Sequence, residues 1–133
     1  MRPKLATKIF FSAAIVYAVA LLTVSLIKVD TGSSPVQFEH MDKVFHFGAY
    51  LGLTVLWQMY YFLKNKIFHP QPSLWICILA VIFGIIIEIL QGTATTYRGF
   101  EFLDIAANTL GVFVAYVILT TYNPLSKVIH SEK

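Results

Sequence analysis

Four apolar stretches, each close to the length that crosses a bilayer, take up most of this chain. The first runs from Ile9 to Ile27 without a charge, the second from Val44 to Leu63, the third from Leu74 to Leu90 with Glu88 inside it, and the fourth from Phe102 to Tyr122. At about 1.5 Å per residue, a helix of the first run's length nearly matches a hydrocarbon core of roughly 30 Å. Lipid offers no water to the backbone, so runs this long are helices. A chain that is 57% hydrophobic and 13% charged also lies outside the range of soluble domains. The expected fold is all-α, a membrane-embedded four-helix bundle forming one domain over residues 1–133, with helices at about 9–27, 44–63, 74–91 and 102–122. The first run follows Arg2, Lys4 and Lys8 as a signal peptide would. It is long for a cleaved segment, though, and no small-x-small site precedes Lys28, so it reads as a retained anchor.

The basic residues set the expected orientation. Arg2, Lys4, Lys8, Lys64, Lys66, Lys127 and Lys133 fall on one side, and Lys28, Lys43 and Arg98 on the other. By the positive-inside rule both termini are cytoplasmic. The loop around Gly32 to Pro35 and the loop from Gly92 to Glu101 then face outward, and His69, Pro70, Gln71 and Pro72 make a tight cytoplasmic turn. In a background without Cys77, cysteines at Ser34 and Thr95 are expected to react with an impermeant thiol reagent in intact cells, while those at Asn65 and Ser131 stay protected. The reverse labelling pattern would put the polar residues described next on the cytoplasmic side.

Those residues are costly in lipid, so each needs a structural or functional reason. Asp42, His46 and Tyr50 are spaced by four and descend one helix face to a depth of about 9 Å. Lys43 stands beside them at the interface, and Thr54 and Gln58 continue the stripe. Glu88 and Gln91 share a face with Gly84 on the third helix, and Glu101, Asp104, Asn108 and Gly111 share one on the fourth. All three stripes reach the same depth. A shared polar pocket open toward the outer leaflet keeps them out of lipid. Glu88 is mid-helix, where it cannot cap; its expected partner is Arg98 or His46, or else it is protonated.

Three strings carry a family resemblance: Asp42-Lys43-Val44-Phe45-His46-Phe47-Gly48-Ala49-Tyr50, Glu88-Ile89-Leu90-Gln91, and the stretch from Arg98-Gly99-Phe100-Glu101 through Asp104 and Asn108 to Gly111. In order and spacing they resemble the VanZ-like family of small bacterial membrane proteins. The family is named for a protein associated with resistance to glycopeptide antibiotics such as teicoplanin. The resemblance implies a multi-pass protein of the bacterial cytoplasmic membrane with a role at the cell envelope. Resistance itself is not carried over to this chain.

Each polar residue also has a plain structural reading. Asp42 and Asp104 stand at helix starts, where a carboxylate can simply cap. Lys43 can anchor at the interface, His46, Tyr50 and Asn108 can be interhelical hydrogen-bonding glue, and Gly48 with Gly52, and Ala107 with Gly111 and Ala115, are small-residue packing faces. Cys77 reads as a core residue, since a lone cysteine makes neither an intrachain disulfide nor a thiolate cluster.

The leading functional expectation is a site for the headgroup of a lipid or lipid-linked envelope precursor, built from Lys43, His46, Tyr50, Glu88, Gln91, Arg98, Glu101, Asp104 and Asn108. Lys43, Arg98 and two helix N-termini supply positive potential there. One alternative is a non-catalytic subunit or assembly factor of a larger envelope complex, partnered by another membrane protein or a second copy. The other is a membrane-embedded hydrolase or transferase with His46 as base, Asp42 or Glu88 orienting it, and Asp104 or Glu101 as a second acid. No cofactor and no metal are expected, because one histidine among dispersed acids is a weak ligand signature. The modest charge of +3, spread in short clusters, argues against nucleic acid.

Overall fold

A computed structural model describes residues 3–27, 41–66, 69–96 and 99–122. They form four helices, α1 (Pro3–Leu26), α2 (Met41–Asn65), α3 (Pro70–Ala94) and α4 (Phe102–Thr121), and no strand occurs among the described residues. Hydrogen bonds at one end of the bundle fix its sense. The Gln91 amide near the end of α3 donates to the Ser25 carbonyl at the end of α1, 2.9 Å away, while His46 early in α2 meets Asn108 early in α4 at 2.9 Å. Successive helices therefore alternate in direction, as four short-linked helices do in a bundle.

Three helices, α1, α3 and α4, are long and apolar enough to cross a membrane. α2 is as long as α3, at 25 residues, but carries the polar stripe. It turns that stripe inward: Tyr50, Thr54 and Gln58 are buried, with Leu53 among them. Thr54 returns its hydroxyl to the Tyr50 carbonyl, and Gln58 forms a reciprocal pair with Ser73 on α3, its amide donating to the Ser73 carbonyl and its oxygen accepting from the Ser73 hydroxyl. The core packs Tyr50, Leu53, Cys77, Ala80 and Val112, so Cys77 is the interior residue expected. Outward faces are apolar as well, with Val16, Val19, Leu79 and Phe113 exposed in the way lipid-facing residues are.

The helices outrun the apolar runs at several ends. Lys4 and Lys8 lie within α1, and Pro70, Gln71 and Pro72 form the first turn of α3 rather than a turn ahead of it. Proline is tolerated there because the first N–H groups of a helix have no intrahelical acceptor. α2 closes on Lys66, whose φ of 61° is the left-handed conformation common after a helix end. The loop expected around residues 32–35 lies outside the described residues.

The glycines separate into different kinds. A Cβ on Gly48 would meet nothing within 4 Å, so Gly48 is not part of a packing face. Its neighbour Gly52 makes room for the Tyr17 hydroxyl of α1, which donates to the Ala49 carbonyl at 2.8 Å. Gly111 lies directly against the α2 backbone at Phe47 and Leu51, so α2 and α4 meet there main chain to main chain.

Candidate functional site

The polar stripes converge where α2 and α4 begin and α3 ends. At the rim, the Lys43 ammonium is ringed by three carboxylates, with its nitrogen 2.8 Å from Asp42 Oδ2, 2.5 Å from Glu101 Oε2 and 2.6 Å from Asp104 Oδ1. Asp104 sits in the first turn of α4 and Asp42 in that of α2, so both also face positive helix ends. Neither acts only as a cap. Glu101 is the residue at the N-cap of α4, yet its side chain makes no capping bond and reaches across to α2 instead.

Deeper in, His46 joins all three helices. Its Nδ1 is 2.9 Å from Asn108 Oδ1 on α4 and 3.7 Å from Glu88 Oε1 on α3, and its Nε2 is 3.3 Å from Asp104 Oδ2. Exposure falls steadily along this path: Glu101 is 55% exposed, Asp42 40%, Lys43 21%, His46 12%, Asp104 9% and Glu88 0%. The polar groups thus form one continuous line from the bundle surface to its interior. Asn108 and Tyr50 complete its inner end and are almost wholly buried. The Asn108 amide nitrogen and the Tyr50 hydroxyl have no hydrogen-bond partner among the described residues. Both flank Gly84, where a Cβ would stand 3.0 Å from the Tyr50 ring and 3.2 Å from Asn108 Nδ2, so the absence of a side chain there makes their space.

Of the residues expected to share a site, Lys43, His46, Glu88, Glu101, Asp104 and Asn108 come together, with Asp42 at the mouth and Tyr50 at the inner end. Gln91 is buried one turn from Glu88 but spends its amide on tying α1 to α3. Arg98 lies outside the described residues. Ser25, which accepts that bond through its backbone, had no sequence signal. The Lys43 charge is met by three acids, and the described residues at this end hold four carboxylates to one lysine.

Two groups of donors are compact enough to hold a cation: His46 with Glu88 and Asp104, and Asp42 with Glu101 and Asp104. The second already contains the Lys43 ammonium. The first places an imidazole between carboxylates, an arrangement that can hold a proton or a metal ion at Nε2. Ser73 and Cys77 engage Gln58 toward the other end of the bundle.

Two apolar grooves run along the sides of the bundle, away from this cluster. One, of about 270 Å³, is lined by Ala18, Leu53, Trp57 and Phe83, and the other, of about 360 Å³, by Cys77, Val81, Val112 and Tyr116 among others.

No curated protein and no solved structure matches the chain. The VanZ/LLP1 family model matches residues 5–123, which takes in all the described site residues and nearly the whole of the bundle. This multi-pass helical membrane protein belongs to the VanZ/LLP1 family.

Proposed function

We propose that the protein binds the polar headgroup of a membrane lipid or lipid-linked envelope precursor where α2 and α4 begin, in the outer leaflet of the bacterial cytoplasmic membrane. The graded exposure from Glu101 to Glu88 carries this reading: a polar line that only locked helices together would have no reason to open at the surface. Phe45, Phe100, Phe102 and Leu103, chain neighbours of the polar residues, are exposed. An amphiphile therefore meets polar groups for its head and apolar faces for its chains at the same place. Rim carboxylates accept hydrogen bonds from hydroxyls or amines, which suits a glycosylated or zwitterionic phosphate better than a bare polyanion.

The test is mass spectrometry of lipids retained by the purified protein, followed by melting in detergent with added phosphatidylethanolamine, a prenyl phosphate or diacylglycerol. A phosphate-bearing lipid is expected to raise the melting temperature by about 5 °C or more when well above its dissociation constant. Glu101→Ala combined with Asp42→Ala is expected to cut the phosphatidylethanolamine shift by at least half, because its amine loses two acceptors. Equal stabilisation by neutral diacylglycerol would leave the polar line as a helix lock and put the assembly-subunit role ahead.

The placement of His46 between Asp104 and Glu88 favours one second reading, a hydrolase or transferase in which imidazole activates water. Turnover of a phospholipid or prenyl phosphate in vesicles, lost in His46→Gln, is its measurement.

A further inference from the structure

We propose that His46, Glu88 and Asp104 form a site for one first-row divalent metal ion, whose open coordination positions receive a phosphate oxygen of the bound headgroup. One donor atom from each residue lies within 4.8 Å of the others, and the three come from α2, α3 and α4. Zinc-class ions hold nitrogen and oxygen donors at about 2.0–2.2 Å, which sets neighbouring donors roughly 3–3.6 Å apart. The 3.3 Å between His46 Nε2 and Asp104 Oδ2 already has that spacing, while Glu88 Oε1, 3.7 Å from Nδ1, has to turn toward Nε2 to join the ion.

The imidazole shows why a cation belongs there. When Nδ1 donates to Asn108 Oδ1, Nε2 turns its lone pair toward the Asp104 carboxylate, and two acceptors face each other. Only a proton or a metal ion between them makes that contact attractive. An amide oxygen that fixes one ring nitrogen while the other ligates is also the usual outer support of a metal-bound histidine.

A second observation points to a ligand on that ion. Asn108 Nδ2 and the Tyr50 hydroxyl belong to residues only 1% exposed, have no hydrogen-bond partner among the described residues, and flank Gly84 one turn from Glu88. Buried donors left unsatisfied are costly, and an oxygen ligand on the ion would accept from both. Charge agrees with this. An ion would give an end of the bundle whose described residues are rich in acids the means to hold an anionic group. The ion itself needs nothing from the headgroup reading; only its outer ligand rests on that reading.

The experiment uses the full chain, purified untagged in detergent, stripped with EDTA and dialysed against Zn²⁺ or Co²⁺. We expect about one ion per chain by elemental mass spectrometry, with cobalt absorption bands of low coordination number. Glu88→Gln and His46→Gln are each expected to lose the ion, Asn108→Ala to weaken it about tenfold through the imidazole orientation, and Gly48→Ala, on an open face, to keep it. Wild type binding no more zinc than Glu88→Gln would overturn the site, leaving a protonated imidazole, or an amide turned to donate to Nδ1, as the closing contact. Chelation of wild type gives the same answer without any variant. Melting in phosphatidylglycerol and diacylglycerol nanodiscs, with and without Zn²⁺, separates the two proposals. Zinc bound with no preference between the lipids sinks the headgroup reading and keeps the ion. A phosphatidylglycerol preference unchanged by EDTA keeps the headgroup reading and removes the ion from it.

Discussion

One methyl group on Gly111 is expected to force α2 and α4 apart. A Cβ at that position would overlap the Phe47 carbonyl oxygen and stand 3.1 Å from both the Phe47 carbonyl carbon and the Leu51 nitrogen. All three are backbone atoms, so no side chain can swing aside and a whole helix has to move. Overpacking a core by a methylene usually costs about 1–3 kcal/mol. Gly111→Ala is expected at or above the top of that range, and Gly111→Leu is expected not to fold. The loss extends to the site, because the Lys43–Glu101, Lys43–Asp104 and His46–Asn108 contacts all cross the same interface. Gly48→Ala is the control: its Cβ points into open space and its helix propensity improves, so up to about 1 kcal/mol of stabilisation is expected. Melting temperatures of the two variants in one detergent decide the matter. If Gly111→Ala melts within a degree of wild type, the close approach described here is wrong.

The three carboxylates around Lys43 are expected to differ sharply in what they contribute, and burial gives the order. Asp104 is 9% exposed and is shared by Lys43 and His46, so Asp104→Ala strips both of a partner in a poorly solvated place, at roughly 2–4 kcal/mol. Asp42 and Glu101 are 40% and 55% exposed, and each contacts an ammonium that keeps two other acids. Exposed pairs are worth about 0–1 kcal/mol, so Asp42→Ala and Glu101→Ala are expected to fall there. Raising the salt concentration is expected to shrink these two small effects while leaving Asp104→Ala nearly unchanged. Equal losses for all three would mean that the charges act as an exposed cluster rather than as a graded entry to the interior.

Spacing in the sequence reveals what the helices do along their own length, and conceals what they meet. Asp42, His46 and Tyr50 at intervals of four, Asp104 and Asn108 likewise, and a lone Glu88 in an apolar run are enough to bring α2, α3 and α4 together, because each buries its polar face against the others. Partners supplied by backbone carbonyls leave no such trace. Gln91 carries the same signal as Glu88 but binds Ser25, and Tyr17 on apolar α1 reaches the Ala49 carbonyl. Gly48 and Gly52 look equivalent as a four-residue pair, yet the 40° between them leaves one in open space and sets the other against Tyr17. Lys43 reads as a cation available to a ligand, and its acids lie as far apart in sequence as Asp42 and Asp104, with no hint that three of them would claim it. Helix ends are blurred for a different reason. An apolar run stops at the first charge, while hydrogen bonding continues into the interface, as it does through Lys4, Lys8 and Gly92.

The polar stripe of α2 also bears on how the protein enters its membrane. His46, Thr54 and Gln58, inside the segment, make this helix a poorer substrate for lateral release into lipid by itself than its neighbours, since polar groups at that depth are costly until partners satisfy them. The groups that neutralise it, Glu88, Asp104 and Asn108, leave the ribosome later, on α3 and α4. Nascent α2 must therefore wait at the insertion machinery or at its edge, held by α1 through contacts such as Tyr17 with Ala49, until the second half of the chain arrives to close around it.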